Sequence, residues 1–173
     1  MAENRAAIEP WMRGTHEDVP AVLRAVIHAL ELAREDVERW CGHFNHEEWN
    51  MRPHGMASAA FHVRHMARSI DRLLTYAEGE SLTSEQLEEL KSEMEQNANG
   101  DNVLDEFKAA LGKAEKRIRS FAGSDLEAKR TLGRKALPTS VGGLLVHVAD
   151  HTSRHVGQVV TTAKLVIASR GVF

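Results

Sequence analysis

"PTSVGGLLVHVADHTSRHVGQVVTTAKLVIAS", residues 138–169, is the stretch whose reading decides the fold. Pro138 followed by Thr139 and Ser140 reads as a helix start, because a Ser or Thr hydroxyl can accept from the free backbone N–H groups of a first turn. From there Val141, Leu144, Val148, Val159 and Val166 recur at helical spacing and define one inward face of a helix running to about Ser169. His147, His151 and His155 stand four residues apart on the same helix. A step of four turns a side chain by only ~40° and rises ~6 Å, so the three form one slowly winding row. His155 falls near the apolar face, His151 at its edge and His147 further out.

A helix with one apolar face needs partners, and three further stretches supply them. The first runs from about Asp18, as N-cap, to His43, with Val22, Leu23, Val26, Leu30 and Val37 inward. A loop, "NHEEWNMRPHG", leads to the second, capped by Ser58 and closed by Gly79, with Ala59, Val63, Met66, Ile70, Leu73 and Ala77 as its stripe. The third takes Asn102 to about Ala122, with Val103, Phe107, Ala110, Leu111, Ala114 and Ile118 inward. Between Glu80 and Gly100 an acidic crossover can hold a short surface helix opened by Thr83 or Ser84, adding little to the core. Strand-like alternation bounded by turn residues is not evident. The expected fold is all-α, a four-helix bundle with a crossover, in one domain over residues 1–173.

Composition narrows the partners. With 22 Lys and Arg against 25 Asp and Glu, the net charge of -3 gives no field that would attract nucleic acid or an anionic membrane. The basic residues Lys113, Lys116, Arg117, Arg119, Lys129, Arg130, Arg134 and Lys135 lack interleaved aromatics and read as a solvated face. Cys41, the single cysteine, excludes an intramolecular disulfide and reads as a small buried hydrophobe. The N-terminus lacks the apolar core of a signal peptide, so a cytoplasmic protein with a small-molecule partner is expected. Surplus apolar residues in "VVTTAKLVIASRGVF" point to a homodimer.

Ten histidines are the unusual feature. A lone helical histidine is ordinarily a satisfied polar residue, but an i, i+4 pair lets two imidazoles converge on one ion while a facing helix adds a third ligand. His151 and His155 are the best-placed pair, and "FHVRH" offers His62 and His65 on the second helix. Five histidines near one level of a bundle would be costly as packing alone, since each buried ring nitrogen needs a partner. The second helix's apolar stripe points His62 more squarely at the core than His65. His28, His43, His46 and His54 read as structural or solvent-exposed.

The second helix, "SAAFHVRHMARSIDRLLTY", and the fourth, "TSVGGLLVHVADHTSRHVGQVVTTAKL", resemble the two signature segments of the DinB/YfiT-like superfamily of metal-binding four-helix bundles, and "WNMRP" at Trp49 to Pro53 agrees with the approach to the second helix. The resemblance implies metal ligands at His65, seven residues after Ser58, and at His151 and His155, in the H-x-x-x-H-x-G-Q pattern. His62 and His147 stay open as outer partners, alternative ligands or ordinary polar residues, and Gln158 as an outer partner, a substrate anchor or a packing residue; the imidazole set suits one divalent ion, Zn²⁺ or Ni²⁺. Relatives of this kind include thiol-dependent transferases and isomerases and metal-dependent hydrolases. The implied function is an enzyme that activates a low-molecular-weight thiol or water against a small electrophile, with a non-catalytic metal-binding, stress-response or sensor protein as the rival. Three neutral imidazoles without a carboxylate or thiolate would leave coordination positions open. No general base is identifiable: Asp150 points about 100° away from His151 around the helix.

Overall fold

The computed structural model describes residues 8–93 and 99–170. The expectations drawn from the extreme N-terminus, from 94–98 of the crossover and from 171–173 fall outside the described residues.

Among the described residues six α-helices and one hairpin follow each other: α1 (Ala21–Cys41), α2 (His46–Asn50), α3 (Ala59–Glu78), α4 (Ser84–Ser92), α5 (Gly100–Ser120), β1 (Lys129–Leu132), β2 (Leu137–Ser140) and α6 (Val141–Ser169). The long helices α1, α3, α5 and α6 form the bundle. Each packs on two neighbours, α3 against α6 and α5, and α1 against the same two, which closes the ring. Inside it lie the stripes read from sequence: Leu23, Val26, Leu30 and Val37 of α1, Val63, Met66 and Ile70 of α3, Val103, Phe107 and Ile118 of α5, and Val141, Leu144, Val148, Val159 and Val166 of α6. Among the described residues no helix is long and apolar enough to cross a membrane.

The helix ends follow from local chemistry. Ser58 accepts from the Phe61 N–H, and Gly79 closes α3 at φ +88, a left-handed backbone that favours a residue without Cβ. Thr83 and Gln86 form a reciprocal capping box at α4. Ser140 accepts from the Gly143 N–H and so opens α6 directly at the end of β2. At α5 the first residue is fixed by contact: a Cβ on Gly100 would lie 2.0 Å from Trp49 Cδ1, so only glycine lets this helix end meet the buried indole.

Several expectations are corrected. Asp18 is not the cap of α1; Pro20 precedes the helix, which opens at Ala21, and the Asp18 carboxylate pairs with Arg119 at 2.8 Å. Val22 is turned outward, one position off the buried stripe. The loop after α1 contains α2, held by a capping box between Asn45 and Glu48. α5 begins two residues before Asn102. Strands are present: β1 and β2 pair antiparallel, Lys129 opposite Ser140 and Leu132 opposite Leu137. Four residues per strand, with Pro138 inside one of them, is too short a run for alternation to register.

Cys41 is fully buried at the end of α1, and burial pushes its thiol up to about 12. A thiolate-directed reagent at pH 8 should therefore leave the native protein unmodified and label one thiol per chain once denaturant is added; rapid labelling of the native form would contradict the packing of this helix end.

Candidate metal centre

Helix α3 carries His62 and His65 three residues apart, and α6 carries His151 and His155 one turn apart, on the faces where these two helices meet. His62 is the deeper of the α3 pair, 7% exposed, as the apolar periodicity implies; His65 sits at the margin of the core, its side chain 20% exposed. His65, His151 and His155 each offer one nitrogen, and these nitrogens lie within 4.8 Å of one another, an arrangement that could hold a metal ion. Their ring centroids stand 4.6 to 5.1 Å apart. Phe61 stacks on the outer face of His65 at 5.7 Å with 12° between planes.

The hydrogen-bond partners sort the ring nitrogens. His65 Nδ1 lies 2.8 Å from Glu93 Oε2, and a carboxylate can only accept, so the ring proton sits on Nδ1 and the Nε2 lone pair is left free. That Nε2 faces His151 Nε2 at 3.3 Å. His151 Nδ1 lies 3.4 Å from Ser69 Oγ, whose own proton goes to the His65 carbonyl at 2.6 Å. His155 Nδ1 is turned to His62 Nδ1 at 3.1 Å, which leaves Nε2 as the nitrogen His155 can offer. Each of the three imidazoles is thus held from behind through Nδ1, as metal-ligating histidines are.

Electrostatics keeps the rings neutral. Burial, then neighbouring histidines, lowers His62, His151 and His155 to about 4. Glu93 runs the other way. Its burial alone would raise it, but hydrogen bonds from His65 and from Arg72, at 2.5 Å, hold it below the usual carboxylate range. Glu93 is only 4% exposed and comes from the end of α4, in the crossover that composition marks as surface. It was invisible to the sequence reading because a glutamate in an acidic run carries no periodic signal. It also amends the expectation of a centre without carboxylate: one stands directly behind His65.

The remaining candidates lie apart. His147 is half-exposed, its Nδ1 3.7 Å from Asp150 Oδ2, and it meets the trio only through ring contact with His151 at 5.6 Å. Asp150 pairs with Arg154 on the exposed side of α6. Gln158 is exposed, as are His43, His46 and His54, whereas His28 is buried in α1.

Acid should act on the metal-free protein through these rings. A histidine whose folded value lies near 4 against an ordinary 6.5 contributes stability that is complete above pH 6.5 and is lost as pH falls toward 4, because the unfolded chain takes up the proton first. Thermal melts of chelator-treated protein should show a plateau above pH 7 and a falling midpoint between pH 6.5 and 4, less steep in His62→Phe; an unchanged midpoint over that window would contradict the neutral, buried rings.

A search among curated proteins finds no match for this chain. The family model described as the DinB superfamily matches residues 29–159 of the 173, from within α1 through the whole histidine-bearing part of α6. The matched stretch contains His62, His65, His151 and His155, together with all of α3 and α5 and the larger parts of α1 and α6. On that match and that architecture, the chain belongs to the DinB superfamily.

Proposed function

We propose that His65, His151 and His155 hold one divalent ion, Zn²⁺ or Ni²⁺, and that the protein is a metal-dependent enzyme acting on a small electrophile with a low-molecular-weight thiol or water as nucleophile. The observation that carries this reading is the sorting of nitrogens: Nδ1 of each ring is engaged from behind, by Glu93, Ser69 or His62. The donor set fits the ion. Two imidazole nitrogens on one tetrahedral Zn²⁺ would stand about 3.3 Å apart given Zn–N distances of about 2.0–2.1 Å, and His65 and His151 present theirs at 3.3 Å.

Bound there, a divalent ion supplies Lewis acidity that lowers the pKa of a thiol or water. The protein's own groups do the positioning. Glu93 fixes the tautomer of His65 and makes its ring a stronger donor; Arg72 in turn anchors Glu93. Ser69 ties His151 to the backbone of α3. His62, neutral at pH 7, meets His155 Nδ1 at 3.1 Å from the buried side and so orients that ring. The partly exposed margin at His65 and Phe61 leaves an approach for a small substrate.

Metal-loaded protein should accelerate conjugation of at least one low-molecular-weight thiol to an electrophile, or hydrolysis of a small ester or amide. His65→Ala, His151→Ala and His155→Ala should each abolish that rate and weaken ion binding by more than the ~10–100-fold that losing an outer partner costs, the latter loss being expected for Glu93→Gln. Helical circular dichroism should stay nearly intact, since apolar stripes carry the bundle. A thiol, ester and amide panel with no metal-dependent rate would overturn the enzymatic reading in favour of metal storage or sensing; ion binding unchanged in the three alanine variants would overturn the site.

A further inference from the structure

At a separate place in the bundle, the segment before α1 lies over α1 and α5 and brings a second group of donors together. His16 Nε2 lies 2.9 Å from Glu31 Oε1, and the His16 and His28 rings are 5.5 Å apart at 50°. His16, His28 and Glu31 each offer one donor atom, all within 4.8 Å of one another. His28 is buried, while His16 and Glu31 keep side-chain exposures of 15% and 27%, so the group is anchored on one side and reachable on the other. His16 has φ 58, a left-handed backbone that a residue with Cβ adopts only when its surroundings hold it there. Arg13 supplies part of that hold, clamping the same segment to α1 through a two-pronged pair with Glu35 at 2.5 and 2.8 Å.

We propose that His16, His28 and Glu31 form a second divalent-cation site, distinct from the centre at His65, His151 and His155. Two imidazoles and one carboxylate are a donor set that suits Zn²⁺ and leaves a position for water. Bonding distances to one ion would bring donor atoms to about 3.3 Å from each other, and the half-exposed Glu31 and the segment at His16 need only small shifts to reach that. Carboxylates surround the group: Glu31 at 2.9 Å and Glu115 at 3.9 Å face His16, and Asp18 adjoins them. Of the nearby guanidiniums, Arg119 is drawn off by Asp18 and Glu115 and Arg13 by Glu35, while Arg24 acts on His28 from α1.

Arg119 sets the strength of the site. Its Nη2 lies 2.5 Å from His16 Nδ1, and a guanidinium can only donate, so that Nδ1 holds a lone pair and the ring proton is on Nε2, given to Glu31. For an ion to take Nε2, this proton must pass to Nδ1 and Arg119 must release it; the neutral ring loses no proton in total, it changes tautomer. Arg119 has somewhere to go, because Asp18 at 2.8 Å and Glu115 at 2.9 Å already share it. The site is therefore occupied at higher ion concentration than one without such a competitor, and removing the competitor strengthens it.

The test is calorimetric titration of chelator-stripped protein with Zn²⁺ at pH 7. Two ions per chain are expected. The triple variant H65A/H151A/H155A should retain one of them, and adding either Glu31→Gln or His28→Ala should abolish it. Arg119→Gln should tighten that retained ion about tenfold, the usual worth of one charge-assisted hydrogen bond. His28 is buried, so Glu31→Gln carries the test if His28→Ala unfolds, and in the otherwise intact chain Glu31→Gln should reduce two ions to one. A triple variant that folds and binds no Zn²⁺, or an intact chain whose Zn²⁺ stoichiometry is the same with and without Glu31→Gln, would overturn the second site and leave the first untouched.

Discussion

Helices α3 and α6 meet along a seam that is apolar through Val63, Met66, Val148 and Val159 and polar at one level, where His62, His65, His151 and His155 face each other. The polar level depends on the apolar one. Imidazoles on two helices converge to within hydrogen-bond distance only if the helices are fixed in register, and that register is set by close-packed side chains that tolerate little displacement. Ser58 and Ser140 mark where the two helices begin, so the depth of each histidine follows from two hydroxyl caps and a count of residues.

A second constraint holds the trio from outside the seam. Glu93 accepts from His65 with one oxygen and from Arg72 with the other, all three groups mostly withdrawn from water. Removing one partner of such a buried pair leaves an uncompensated charge and typically costs about 3–5 kcal/mol. The crossover after α4 therefore does more than link α3 to α5: it delivers a carboxylate to the back of the site. Burial disfavours charge on all of these groups: it keeps His62, His151 and His155 neutral, while at Glu93 the paired hydrogen bonds outweigh it and keep the carboxylate ionised. Neutral imidazoles beside an ionised carboxylate are what a divalent cation prefers.

The long helices, their caps and most of their inward faces were legible in the sequence, because 3.6-residue periodicity and the punctuation at Ser58, Gly79 and Ser140 are local signals. The histidines of α3 and α6 were legible for the same reason. The ranking of His62 against His65 was only half so: periodicity gives depth, and His62 is indeed deeper, but which nitrogen meets which depends on side-chain partners across the seam. Glu93 and Ser69 were not legible, since their roles arise from contacts between segments distant in sequence. His16 was missed and His28 read as structural, because the pairing of these two requires the chain before α1 to fold back over the helix at a left-handed backbone. The hairpin escaped through its brevity. Val22 shows the ordinary error, a residue one step off the stripe that apolarity alone placed inside.

Nδ1 of His65, His151 and His155 is engaged from behind, and we propose that their Nε2 atoms together take one divalent ion. Long-range ¹H–¹⁵N correlation of the histidine rings, recorded before and after adding Zn²⁺ to the Glu31→Gln protein, tests it nitrogen by nitrogen. The account predicts that Nε2 of these three residues shifts to metal-bound values while their Nδ1 atoms remain protonated and His62 keeps a free ring. Coordination through Nδ1, coordination by His62 in place of His65, or unchanged spectra for all of them would contradict it.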